Sequence, residues 1–241
     1  MHLSLVIPAY NEAERIGDTL EHVLAYLGNQ DYEAEVLVID DGSNDDTARV
    51  VAGCQSAARV RLRLVSLGRN RGKGFAVRAG TFDEAQGEYR VFYDADASTP
   101  VEELEKLWPR FEAGADIVIG SRSLPDSDVR VRQAWYRETM GRIFNRILRV
   151  LRITPFVDTQ CGFKGFTARA CEVVFPRQTI DGFSFDAELL YIAARHGLRI
   201  DEVPVVWRNS PRSRVSPLLD AGRMFLDLLA IRLNDLAGKY R

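Results

Sequence analysis

What is scarce in this chain narrows its chemistry first. It has three histidines, His2, His22 and His196; the first is terminal and the other two fall inside helical patterns, so none suggests a catalytic role. Three cysteines, Cys54, Cys161 and Cys171, lack zinc-site spacing and are odd in number, which argues against a disulfide framework and suits a reducing compartment. A net charge of −2 offers no global basic field for nucleic acid. No run reaches the roughly 18 uncharged apolar residues that a bilayer-spanning helix needs. The nearest, Pro217 to Leu236, is interrupted by Asp220, Arg223, Asp227, Arg232 and Asp235. The apolar start Met1-His-Leu-Ser-Leu-Val-Ile-Pro8 is too short and too lightly flanked for a signal peptide, and reads as a first strand. The phosphate-binding patterns G-x-x-x-x-G-K-[ST] and G-x-G-x-x-G are both missing, so neither a P-loop nor a Rossmann fingerprint is present.

What remains is an ordinary globular composition, 46% hydrophobic and 27% charged, in 241 residues, enough for one large domain with a sizeable core. Short apolar runs at Leu3–Ile7, Glu35–Ile39, Arg61–Leu67, Tyr89–Tyr93 and Asp116–Ile119 read as strands. Between them, Asn11–Leu27, Asn44–Gln55, Gly72–Ala85 and Pro100–Ala113 carry helix-period apolar residues. The alternation predicts an α/β fold with a mainly parallel central sheet flanked by helices. Further on come a loop from Asp158 to Lys164, a helix over Phe185–His196, a strand over Ile200–Trp207 and a last helix opened by Pro217.

Ligands of such sheets bind beyond the carboxyl ends of the strands. Four polar clusters fall there: Pro8-Ala-Tyr-Asn-Glu12, Asp40-Asp-Gly-Ser-Asn44, Gly68-Arg-Asn-Arg-Gly-Lys-Gly74, and the pair Asp94 and Asp96. On an extended strand residues i and i+2 face the same way, so Asp94 and Asp96 are expected to converge on one spot, where like charges repel unless a cation lies between them. An Asp-rich turn is the plainer alternative. Gly72-Lys73-Gly74, opening a helix, suggests a small phosphate cradle, with Lys73 supplying charge. In the turn after the second strand, either Asp40 or Asp41 and the glycine simply shape the backbone, or a carboxylate there reads a nucleoside. Together the clusters suggest a diphosphate bound through Mg²⁺ or Mn²⁺ at Asp96 and Asp94, the metal stabilising a departing nucleotide diphosphate.

Composition shifts after Leu124. Between Arg130 and Arg152 stand seven arginines and one acid, a local charge of +6 in a chain of −2. Within it Met140, Ile143, Phe144, Ile147, Leu148 and Leu151 follow the stripe of an amphipathic helix, with Arg142, Arg146 and Arg149 on another face. This is either a solvated basic face over a packed core or a surface that meets anionic lipid.

In order along the chain, Pro8-Ala-Tyr-Asn-Glu12, Ile39-Asp-Asp-Gly-Ser-Asn-Asp-Asp-Thr47, Asn70-Arg-Gly-Lys-Gly74 and Asp94-Ala-Asp96 resemble the family 2 inverting glycosyltransferases of GT-A fold. Asp158-Thr-Gln-Cys-Gly-Phe-Lys164, Phe185-Asp-Ala-Glu-Leu-Leu190 and Ile231-Arg-Leu-Asn-Asp-Leu-Ala-Gly238 resemble the polyprenyl-phosphate sugar transferases, especially the dolichyl-phosphate glucosyltransferase-like branch. The resemblance covers nearly the whole chain. It implies one continuous GT-A domain, with a nucleotide-sugar-binding half over residues 1–124 and an acceptor-binding half over 125–241. It also implies that Pro8, Tyr10, Glu12, Asp40, Asp41, Lys73 and Asp94 bind a UDP- or GDP-hexose, and that Asp94 and Asp96 hold the metal diphosphate. Dolichyl-phosphate mannose synthases typically carry Gln two residues after the second Asp; Ser98 stands there in this chain.

The implied reaction is inverting transfer of a hexose, glucose or mannose, to a polyprenyl phosphate at a membrane surface. The implied location is cytoplasmic, peripheral on the cytoplasmic face, and a membrane-protein partner stays open. A phosphate monoester is already largely dianionic at neutral pH, so it needs cations rather than a strong base. Arg122, Arg130, Arg132, Arg212 and Arg214 are the candidate cations. Asp186 is either a general base for a hydroxyl acceptor or a residue that caps or orients a helix. A family 2 enzyme acting on a hydroxyl of a glycan or small molecule, and a non-catalytic nucleotide-sugar-binding protein, are the competing readings.

Overall fold

In the computed structural model the backbone is described for residues 1–55, 59–131, 141, 144, 146–208 and 219–241, with side chains for the same residues except 131 and 219–221. The elements run β1 (Leu3–Ala9), α1 (Ile16–Gly28), β2 (Ala34–Asp40), α2 (Thr47–Gly53), β3 (Val60–Ser66), α3 (Lys73–Arg78, continuing as a π-helix over Ala79–Glu84), β4 (Tyr89–Tyr93), a 3₁₀ turn (Val101–Lys106), α4 (Trp108–Glu112), β5 (Ile117–Ser121), β6 (Asp128–Val131), β7 (Phe163–Thr167), α5 (Ala168–Val174), α6 (Phe185–Arg195), β8 (Ile200–Pro204), β9 (Val206–Arg208) and α7 (Leu219–Leu236).

Seven strands form one sheet in the order β3-β2-β1-β4-β7-β5-β8, and β6 pairs with β9 in a small second sheet. All pairings in the large sheet are parallel except those of β7, which is antiparallel to both β4 and β5. The sheet is thus the mainly parallel α/β arrangement expected from the sequence. Its central strands β1 and β2 are apolar along almost their whole length because helices cover both faces. One face packs Leu3, Leu5, Ile7, Val36, Val38 and Val91 against the Ile16, Leu20, Val23, Leu27 stripe of α1. The other packs Val6, Leu37, Ile39 and Phe92 against α3, α5, α6 and α7. At the edge, β3 alternates, with Arg61 and Arg63 interrupting its apolar pattern, a charged edge that discourages pairing with other chains.

Two sequence expectations change, and one left open is narrowed to the packed-core alternative at the described positions. β7 begins in the last two residues of the loop expected from Asp158 to Lys164 and runs on to Thr167, so a strand from the second half of the chain stands between β4 and β5 of the first. The single strand expected over Ile200–Trp207 is divided between the two sheets. In the basic segment, residues 146–150 are helical, and Phe144, Ile147, Leu148 and Leu151 pack against the core. The expected apolar stripe therefore faces inward at these positions, where burial in the protein replaces insertion into lipid; Arg146 and Arg149 are exposed. Met140, Arg142 and Ile143 of that pattern lie outside the described residues, as do Arg132, Arg212, Arg214 and Pro217.

Candidate active site

β1, β2 and β4 are parallel, so their carboxyl ends meet on one rim of the sheet. A cleft of about 1090 Å³ opens there, and Pro8, Tyr10, Glu12, Asp41, Lys73, Asp94 and Asp96 all line it. Seven of the residues singled out in the sequence are thereby brought together from four separate segments.

The loops that carry them are tied to one another. Asn11 takes a positive φ of 54°, its backbone N–H donates to the Ser43 hydroxyl, and its side-chain oxygen accepts from Asn44 N. Glu12 N donates to the Thr47 hydroxyl at 2.7 Å. Asp41 accepts from Arg71 N and Gly72 N, both at 2.8 Å, and so clamps the loop that leads into α3. Burial pushes the Asp41 carboxyl up, against the pull of those two N–H donors. Asp40 does not line the cleft. It is buried and accepts from Ser43 N at 2.9 Å, so of the neighbouring carboxylates this one shapes the turn.

The Gly-Lys-Gly stretch is not an open phosphate cradle. A Cβ on Gly72 would stand 2.4 Å from Asp181 O, and one on Gly74 would stand 2.7 Å from Ile180 O. The N–H groups of Gly74 and Phe75 already donate to Asp181 O. The glycines admit a crossing backbone segment instead of a ligand. That segment is held by Glu188, which accepts from Thr179 N, Ile180 N and the Tyr240 hydroxyl. What remains available in the cleft is the Lys73 ammonium, 2.6 Å from Asp94 Oδ1. Burial works against its charge, but Asp94, then Asp186 and Asp96, outweigh burial and raise its pKa.

β4 ends at Tyr93, and Asp94 to Asp96 form a turn closed by Ala97 N donating to Asp94 O. Strand alternation therefore does not aim these carboxylates; the turn does. Asp94 N donates to Gly162 O at 3.1 Å, and Ala97 takes a positive φ of 48°. A Cβ on Gly162 would stand 1.8 Å from Asp94 Oδ2, so only glycine there leaves the carboxylate its present place. Asp96 accepts from Ser98 N at 3.0 Å. Arg15, paired with Glu12, also lines the cleft. Burial opposes its charge too, and Glu12, Asp96 and Asp94 raise its pKa.

No group of three or more His, Cys, Asp or Glu side chains able to hold a metal occurs among the described residues. Mg²⁺ and Mn²⁺ fit a sparser arrangement, because they keep waters and are held by one or two carboxylates plus substrate phosphates. Asp94 and Asp96, both open to the cleft and flanked by Lys73 and Arg15, match that donor set.

Two other candidates lie behind the cleft. Arg122 forms a two-pronged pair with Asp158, Nε to Oδ2 at 2.7 Å and Nη2 to Oδ1 at 2.8 Å, so its fork is occupied. Against the effect of burial, Arg122 holds the Asp158 carboxyl down to about 2. Asp186 is buried and pairs with the equally buried Lys164 at 2.6 Å; Lys164 also donates to Cys161 O. Burial raises the Asp186 pKa despite Lys164 and Lys73. Of the expected phosphate-binding arginines, Arg130 pairs with Asp128 on the surface.

Sequence reasoning missed the contribution of α7, which brings Arg223, Met224, Leu226 and Asp227 to the cleft. Its charged residues had served only to exclude a membrane span. Indeed, no described helix is long and apolar enough to cross a membrane.

Known proteins resemble this chain along nearly its whole length. Dolichyl-phosphate beta-glucosyltransferase of Homo sapiens is 35% identical, with 99% of this chain aligned to 77% of that protein. The enzyme of the same name from Saccharomyces cerevisiae (strain ATCC 204508 / S288c) is 32% identical over 99% of this chain and 76% of its own. Among solved structures, glucosyl-3-phosphoglycerate synthase from Mycobacterium tuberculosis in complex with Mn²⁺, uridine-diphosphate and glucosyl-3-phosphoglycerate superposes with a TM-score of 0.69 at 22% identity, covering 97% of this chain and 79% of that one. That last likeness speaks for the fold. The model of the family described as Glycosyl transferase family 2 matches residues 4–175, from β1 through α5, the stretch that supplies both rim carboxylates and Lys73. The chain belongs to that family and is a glycosyltransferase.

Proposed function

We propose that this protein transfers a hexose, glucose in the first instance, from a nucleotide diphosphate sugar to a polyprenyl or dolichyl phosphate with inversion at the anomeric carbon. The observation that carries the reading is the near full-length similarity to dolichyl-phosphate beta-glucosyltransferases, 35% identity over 99% of the chain. In this reading Asp41 and its loop hold the nucleoside, while Lys73 and Arg15 face the donor diphosphate across the cleft. A divalent ion bound by Asp94 and Asp96 would neutralise charge on the departing diphosphate. Lys73, held charged by Asp94, adds a fixed positive group at the same place and needs no reorganisation as charge develops.

The acceptor phosphate oxygen forms the new bond to the anomeric carbon as the bond to the diphosphate breaks. Being already deprotonated, it calls for cations. Of the cleft arginines, Arg15 is paired with Glu12 and Arg71 lies over the Phe75 ring, which leaves Arg223 on α7 for that role. The burial of Asp186 against Lys164 favours the phosphate acceptor over a hydroxyl, since this carboxylate is not presented to the cleft as a base.

The test is a screen of UDP- and GDP-hexoses against a short polyprenyl phosphate in detergent with Mg²⁺ or Mn²⁺. A sugar-phosphate lipid formed from UDP-glucose is the expected product. Transfer to water alone with every donor would contradict the reading.

A further inference from the structure

Exposed apolar side chains are concentrated in one part of the surface. Of nine large hydrophobic residues exposed among those described, Phe225, Leu226, Leu229, Leu233 and Leu236 stand on α7, and Val150 stands beside Arg149. At about 100° per residue the five on α7 fall within roughly one 100° arc. Leu228, Ile231 and Asp235 are buried on the opposite side of the helix. The helix therefore has two apolar faces, and among the described residues the inner one is buried while the outer one is exposed.

A groove of about 500 Å³ lies beside the outer face, and it is lined by Arg149, Arg152, Arg195 and Arg232. The arginines come from two different parts of the chain plus α7. Arg195 is held by Asp235 at 3.2 Å, and Arg232 donates to the Tyr191 hydroxyl at 2.8 Å; that hydroxyl in turn donates to Asp235. Arg149 and Arg152 have no side-chain partner among the described residues. Among the described residues, one carboxylate, Asp235, thus stands by four guanidiniums and pairs directly with Arg195 alone, in a groove also lined by Ile153, Pro155 and Ala194. Guanidinium forks fit phosphate oxygens, and their stems tolerate apolar neighbours.

We propose that this groove and the outer face of α7 together seat the protein on an anionic phospholipid bilayer, the arginines on lipid phosphates and the leucines at the interface. A soluble phosphate would use the arginines alone; the adjoining leucine stripe selects a lipid surface. The stripe is also continuous with the cleft, because Leu226 belongs to both. An acceptor lipid leaving the bilayer would then travel along α7 toward Arg223. That last link rests on the lipid-phosphate function proposed above, whereas binding to the bilayer does not.

The experiment is sedimentation of the full chain with vesicles of phosphatidylcholine, with and without phosphatidylglycerol. The parent should sediment with the anionic vesicles and release with salt. Arg149→Gln/Arg152→Gln should weaken binding roughly 20- to 30-fold, about fivefold for each arginine near the surface. Leu233→Ser/Leu236→Ser should weaken it by about tenfold or more. Arg49→Gln/Arg110→Gln removes the same charge from helices on the opposite face of the sheet and should leave binding unchanged. Equal loss in that control, vesicle binding indifferent to the groove and stripe variants, or a parent that ignores anionic vesicles would overturn the inference. So would calorimetric binding of inorganic phosphate at the groove without vesicle binding, or a concentration-dependent dimer abolished by the leucine variants. Transfer to polyprenyl phosphate in detergent without vesicle binding would sink this inference and leave the proposed function standing; vesicle binding without transfer would do the reverse.

Discussion

The two carboxylates that follow β4 and those of the second half of the chain have different circumstances. Asp94 and Asp96 end a strand at an open cleft, with Lys73 and Arg15 as neighbours. Asp158, Asp186 and Glu188 are buried, and each is already committed: to Arg122, to Lys164, and to the Thr179–Ile180 backbone with Tyr240. Both sets occur in motifs that resemble one enzyme family. The contrast teaches that a motif acid serves chemistry or scaffold according to whether its charge is spent before a ligand arrives. A buried paired carboxylate gives up little to a substrate, since removing it from its partner strands a charge in a low-dielectric interior. A rim carboxylate exchanges a weak, partly solvated contact for a metal or phosphate-bound ion.

The comparison breaks most visibly at Asp96. Asp96→Ala should lower transfer by about a thousandfold or more while leaving the thermal unfolding midpoint near that of the parent, because in the proposed function it removes a metal contact, and with it little packing. Product formation within tenfold of the parent would remove Asp96 from the site. The buried set should respond in the opposite sense. Lys164→Ala leaves Asp186 buried without its main partner and should cost about 3–5 kcal/mol of stability in urea unfolding, a large share of a domain's total. A variant as stable as the parent would show that the pair is not part of the scaffold.

Gly162→Ala sharpens the comparison because it joins the two sets. Its methyl would displace the end of a side chain, Asp94, rather than backbone, so the stability cost should be small. Moving Asp94 by about an ångström should nevertheless reduce transfer roughly a hundredfold. Calorimetry with nucleotide diphosphate and Mn²⁺ should report the weakened site. The effect of pH is smaller. Asp158 is held at about 2, below the ordinary carboxylate value, so its pairing stabilises the fold above pH ~4 and loses that contribution as pH falls toward 2. By this linkage the pair is worth about 2 kcal/mol at neutral pH. Arg122→Gln should flatten the parent's stability profile between those values; an unchanged acid limb would contradict the assignment.

Much of this site could be read from the sequence because it depends on local signals. Continuous apolar runs marked β1, β2 and β4 as strands buried on both faces, and the polar clusters after them marked the rim. The partners that decide each residue's role lie far away in the chain and leave no local trace. Arg122 finds Asp158, 36 residues on, and Gly72 and Gly74 are glycines because residues 180–181 cross them. β7 was hidden by Lys164 and Gly165, which look wrong for a central strand. The lysine is neutralised by Asp186, and the glycine makes room for Phe111 and Leu107. The stripe at Phe144, Ile147, Leu148 and Leu151 had the right period, but period alone does not say whether a helix covers a core or a membrane. For the same reason the outward leucines of α7 emerged only once its inner face was seen to be filled.

The central claim is that the lipid phosphate brings its own deprotonated nucleophile, so the buried carboxylate is scaffold and not base. The direct measurement compares the parent and Asp186→Asn, at a temperature where both are folded, on polyprenyl phosphate and on the corresponding free polyprenol. The predicted result is that Asp186→Asn keeps transfer to the phosphate within about tenfold and that the parent ignores the alcohol, whereas loss of a general base typically costs 10²–10⁴-fold. Efficient glycosylation of the free alcohol, or loss of transfer in Asp186→Asn with its fold intact, would contradict it.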